Sequence, residues 1–277
     1  MNDQSINLDS MPGSDKVVDD LRHYFDREDI DLRDITEMAK QDPAVLANIL
    51  CLVNKTFLKR KSPVVNTLTA AINLVGLESL KNSLLSIKSL SETNVSPQNA
   101  LVFELVKSRT YMASRLTQFW GDYMGQTSSD EMFCASMFSG FSDMSACLSN
   151  GNITRNVFDV DSIESVRSLY RFSSNDIGLL PDSIQQVHEN STISERLKLS
   201  IISYNLVTCF EYGYSTQVFG NALQRLCDFV GISMHRAGYD FSQQVVDIDK
   251  NATHQLFHHS YFLLSTNAEP IDLLDTF

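Results

Sequence analysis

Hydrophobic positions recur at three- and four-residue spacing along most of this chain, and alternating patterns are nearly absent. The clearest stretch covers residues 42–90. Asp42 can cap a helix and Pro43 suits its first position, after which Val45, Leu46, Ile49, Leu50 and Val53 fall on one face. Thr67 can cap a second helix bearing Leu68, Ala71, Ile72 and Val75, and Gly76 can end it. A third helix is expected over 77–90.

Short amphipathic helices are expected at 16–25 and 32–40, after a polar tail of residues 1–14. The polar segment 91–98 contains Pro97 and is read as a lobe boundary. Beyond it the pattern predicts helices over 100–120, 132–148, 194–212, 217–230 and 234–247, with weaker ones near 162–170 and 180–187. Residues 251–277 are read as a tail. The expected fold class is all-α. Phe133, Phe138 and Phe141 are expected to be core residues rather than a ligand cage.

The order of these pieces resembles the N-terminal half of an HDOD domain, a helical bacterial signalling module related to HD phosphohydrolases. The similarity rests on the run DPAVLANILCLVNKTF and the later AINLVGLESLKNSLL. It continues more faintly through DEMFCASMFSGFS, GLLPDSIQQVH and LKLSIISYNLVTCFEYG. The resemblance implies a two-lobed domain over about 15–250, with an N-terminal lobe at about 15–95 and an HD-like lobe at about 100–250. It also implies a regulatory role rather than catalysis. HD enzymes hold divalent metals through a His-Asp pair and further His and Asp ligands. Here that pair falls at Ser139 and Gly140, the late aspartate near Asn205, and the upstream histidine near Val106 or Lys107. No His-Asp dipeptide occurs anywhere, so no catalytic residue, metal or cofactor is expected.

Composition adds limits. The net charge of −12 argues against diffuse attraction to nucleic acid or anionic lipid. No apolar run is long enough for a membrane span, and the N-terminus lacks the pattern of a signal peptide, so a cytoplasmic location is expected. The five cysteines are widely spaced without CxxC and read as reduced core thiols. The densest basic cluster is Lys59, Arg60 and Lys61, with Lys55 and Phe57 close by. It is either a solvated loop or a docking patch for an acidic partner or a phosphorylated ligand. Asn54 is expected to follow the first helix and brace the turn. Residues 67–85 also have the outline of a helix-turn-helix, although Glu78 near the start of its second helix would repel phosphate. His254, His258 and His259 form HxxxHH, which on a helix could place two imidazoles on one face.

These readings converge on a regulatory module that binds a protein partner of a signalling pathway. The alternative is a sensor that holds a small phosphorylated or cyclic-nucleotide ligand without cleaving it. A DNA-binding regulator is a third reading.

Overall fold

A computed structural model describes residues 11–58, 65–148 and 195–255. Eleven helices lie among them: α1 (Asp15–Tyr24), α2 (Leu32–Lys40), α3 (Pro43–Leu58), α4 (Leu68–Val75), α5 (Leu77–Leu85), α6 (Pro97–Tyr123), α7 (Ser129–Ser136), α8 (Phe141–Leu148), α9 (Glu195–Phe210), α10 (Gln217–Val230) and α11 (Met234–Asn251). The fold is all-α. Helices α1–α5 pack on one another, α6–α11 do the same, and the two groups meet where α3 touches α6. The helices expected near 162–170 and 180–187 lie outside the described residues.

Local chemistry sets the first group. The Asp42 carboxylate accepts from the N–H groups of Ala44 (2.9 Å) and Val45 (3.1 Å), filling two of the donors a helix start leaves unpaired. Its other oxygen accepts from the N–H of Ser14 at 2.8 Å. One cap therefore also anchors the start of the described chain. Val45, Leu46, Ile49, Leu50 and Val53 are all fully buried. Thr67 accepts from the N–H of Ala70 at 3.4 Å and opens α4. Gly76, at φ 79°, takes a conformation that L side chains resist and turns the chain directly into α5.

Several boundaries differ from the sequence reading. Residues 11–14 are packed rather than tail-like: Met11 and Ser14 are buried, and the Gly13 N–H donates to the Lys88 carbonyl at 3.0 Å. That same contact stops α5 early. It ends at Leu85, because Lys88 and Leu90 exchange backbone hydrogen bonds with Gly13 instead of continuing the helix. Pro97 opens α6 rather than breaking it. Ser96 caps the helix by accepting from the Asn99 N–H at 3.2 Å, and proline is well suited to the first turn. Finally, the apolar run 132–148 is two helices, α7 and α8, separated by a turn at 137–140.

Phe133, Phe138 and Phe141 are buried as expected. Phe210, Phe219 and Phe241 join α9, α10 and α11 through ring centroids 5.0–5.4 Å apart. Such tilted and edge-on packing favours the aromatic quadrupoles.

Candidate functional site

The turn between α7 and α8 carries Ser139 and Gly140. The Ser139 hydroxyl donates to the Ser136 carbonyl at 2.6 Å. Gly140 lies so close to α6 that a Cβ there would collide with the Thr110 hydroxyl and stand 3.1 Å from Val106. Across from them on α9, Asn205 is buried, and its side-chain oxygen accepts from the Cys209 thiol at 3.5 Å. On α6, Val106 is buried. Lys107 is fully buried and is held by Glu104 at 2.6 Å and by the His254 carbonyl at 3.1 Å. Burial raises the Glu104 carboxyl, and the Lys107 ammonium opposes that shift. A glycine, an occupied hydroxyl, an amide and an ammonium do not make a donor set for a divalent cation. Among the described residues, no three His, Cys, Asp or Glu side chains converge as metal ligands.

Beside these positions is a charged cluster that sequence reading missed. Arg109 on α6 grips Glu211, just past α9, through two parallel contacts of 2.9 and 2.5 Å. Both side chains are nearly buried. The Tyr204 hydroxyl of α9 donates to Asp143 of α8 at 3.3 Å. Burial opposes the Arg109 charge, but Glu211, Tyr204 and Asp143 outweigh it and hold the guanidinium protonated. Burial, then Asp143, pushes the Tyr204 hydroxyl up, so it remains a donor. The cluster ties α6, α8 and α9 together.

An open cleft lies elsewhere among the described residues. A cleft of about 670 Å³ lies between α1 and α2 on one side and α6 with the end of α11 on the other. That volume is in the range of small-molecule pockets. On the first wall, Asp34 accepts from the Tyr24 hydroxyl at 2.7 Å and Glu37 pairs with Lys40 at 2.8 Å. On the second stand Tyr111 and Arg115, four residues apart on one face of α6.

Residues 252–255 close one end of the cleft. His254 donates its N–H to the Gln41 side chain at 2.9 Å, and its ring nitrogen meets Asp20 at 2.9 Å. Gln255 donates to the Gln41 carbonyl at 2.6 Å and accepts from Ser108 at 3.0 Å. These residues join α11 to α1, α2 and α6. Burial holds the His254 imidazole below its ordinary value, although Asp20 pulls the other way.

The sequence-based candidates fare unevenly. Lys59, Arg60 and Lys61 lie outside the described residues, and of Lys55 and Phe57 only the backbone, within α3, is described. Asn54 sits within α3 rather than after it. It braces the returning chain by donating to the Val65 carbonyl at 2.9 Å and accepting from its N–H at 2.8 Å. In the helix-turn-helix outline, Lys81 donates to the Phe25 carbonyl at 3.1 Å, which ties it to the end of α1. His254 is not helical, since α11 ends at Asn251, and His258 and His259 lie outside the described residues. None of the five cysteines forms a disulfide with another, and burial pushes the Cys134 and Cys147 thiols up to about 12. Among the described residues no helix is long and apolar enough to cross a membrane.

Comparison with known proteins adds three findings. A family model, HDOD domain, matches residues 11–151. A search of curated proteins finds no match. Among solved structures the chain is similar to the MmoQ response regulator from Methylococcus capsulatus strain Bath, at 14% identity and a TM-score of 0.54, over 83% of this chain and 98% of that one.

Proposed function

This chain belongs to the HDOD domain family, and from that premise we propose that it is a non-catalytic signalling or regulatory module that acts by binding a protein partner in the cytoplasm. The observation that carries the reading is the state of the positions equivalent to metal ligands. Gly140 is packed against α6, the Ser139 hydroxyl is spent on the Ser136 carbonyl, and Asn205 is buried and bonded to the Cys209 thiol. A hydrolase of this type needs charged or imidazole ligands open to water and substrate. The similarity to a protein named a response regulator supports a regulatory setting.

The test has two arms. Purified full chain with added Mn²⁺ is offered nucleotides and cyclic dinucleotides; specific hydrolysis would sink the reading. Tagged chain is then used to capture partners from its own cell extract, beside a variant carrying Lys59→Glu, Arg60→Glu and Lys61→Glu. A reproducible partner lost in the variant places the docking surface on the basic cluster. A partner retained by both keeps the module reading and discards that surface.

A further inference from the structure

We propose that the cleft between α2 and α6 is a binding site for a small zwitterion of the free amino acid or short-peptide class. The carboxylate would sit on Arg115 and Tyr111, and the ammonium would face Asp34 and Glu37. This goes beyond the protein-partner reading and does not depend on it.

Tyr111 carries the first part. It is only 5% exposed, yet among the described residues its hydroxyl makes no hydrogen bond, and it is not among the polar atoms sealed from solvent. Tyr111 lines the cleft, so that hydroxyl opens into it. A nearly buried donor left unpaired costs stability unless something else satisfies it. Its ring is held from leaving by the core around α6, where Met112, Ala113 and Leu116 are buried.

Arg115, one turn further along, is the second donor. It is half-buried and, among the described residues, makes no ion pair and has one hydrogen bond, to Gln118 at 3.2 Å. Its guanidinium lies 5.9 Å from the Phe133 ring centroid, which steadies its position. A tyrosine hydroxyl and a planar guanidinium on one helix face match the two oxygens of a carboxylate.

The opposite wall decides the net charge of the ligand. Asp34 and Glu37 already hold one partner each, but a carboxylate has capacity for more. One guanidinium sharing the cleft with the carboxylates of Asp34 and Glu37 is a poor host for a dianionic phosphate or a cyclic dinucleotide. A ligand with one carboxylate and one ammonium adds no net charge and gives each wall its complement.

The test uses the full chain. The standard L-amino acids and simple dipeptides such as Ala-Ala are screened singly by thermal shift, and hits are measured by calorimetry. Inorganic phosphate and cyclic di-GMP run beside them. At least one amino acid or dipeptide is expected to bind, and its analogues lacking the ammonium or the carboxylate are expected to fail. Arg115→Met should weaken the hit about tenfold or more, from loss of a charge-assisted contact, and Tyr111→Phe about fivefold. Arg115→Lys keeps the charge without the planar fork and should fall between wild type and Arg115→Met; helicity by circular dichroism confirms that each variant is folded. No binding by any amino acid or dipeptide overturns the proposal. So does a hit indifferent to Arg115, or tighter Arg115-dependent binding of phosphate or cyclic di-GMP. A partner captured from extract bears on neither result, so the two readings fail separately.

Discussion

Helix α6 faces two different environments. Toward α8 and α9, Thr110 returns its hydroxyl to the Val106 carbonyl, Gly140 fills the remaining space, and Arg109 is matched by Glu211. Toward α2, Tyr111 makes no hydrogen bond among the described residues, and Arg115 makes one, to Gln118, and no ion pair. Both faces are polar. The difference lies in the charged groups: around Arg109 they are paired and the chemistry maintains the fold, and where donors are positioned and left over, it can receive a ligand. Composition alone would not separate these faces, since each carries one arginine and aromatic neighbours.

The largest effect should come from breaking the paired face. Glu211→Leu leaves the Arg109 guanidinium buried without its main counter-charge and should cost about 3–5 kcal/mol, read from urea unfolding. Replacing both members with apolar residues should recover much of that loss. Full recovery failure, with the double variant as unstable as the single, would mean the pair does more than satisfy itself.

Gly140→Ala comes next. The added methyl must displace the Thr110 hydroxyl or push the α7–α8 turn from α6, at about 1–3 kcal/mol. A neutral result would show that the turn is looser than its contacts imply.

A matched pair of substitutions sharpens the contrast between the faces. Tyr204→Phe removes a hydrogen bond to Asp143 and should cost about 1 kcal/mol. Tyr111→Phe removes no hydrogen bond and should leave stability within about 0.5 kcal/mol of wild type. Equal losses at the two sites would erase the distinction drawn here.

The smallest effect is a pH dependence at the end of the cleft. The His254 imidazole is held below its ordinary value by burial, with Lys16 reinforcing and Asp20 opposing that shift. The unfolded chain therefore binds the proton more readily. This group's contribution to stability is present above its ordinary value, near 6.5, and is lost as pH falls through the lower folded value. Between neutral and mildly acid pH, His254→Gln should show a shallower decline in melting temperature than wild type. An unchanged slope would remove His254 as the source.

Much of the first half was legible because its signals are local. Asp42, Thr67 and Gly76 act on residues within four positions, so caps and stops could be read from spacing. The boundaries that moved were set from far along the chain. Gly13 ended α5 by pairing with Lys88 and Leu90. The break between α7 and α8 fell in a stretch of apolar and small residues, and only its close approach to α6 shows why a glycine stands there. The reading of Ser139, Gly140 and Asn205 as degenerate ligand positions came from the resemblance and not from spacing. Arg109 and Glu211, about a hundred residues apart, offered no spacing signal.

The sequence by itself determined the helices, their caps and the family, since these follow from periodicity and short-range hydrogen bonding. Only the tertiary structure decided which polar groups were paired. Gln41 meets His254 and Gln255 across more than two hundred residues, and α2 faces α6 across a cleft that neither helix encodes. Pairing is a property of distances between elements, and the pattern along a chain records faces but not what stands opposite them.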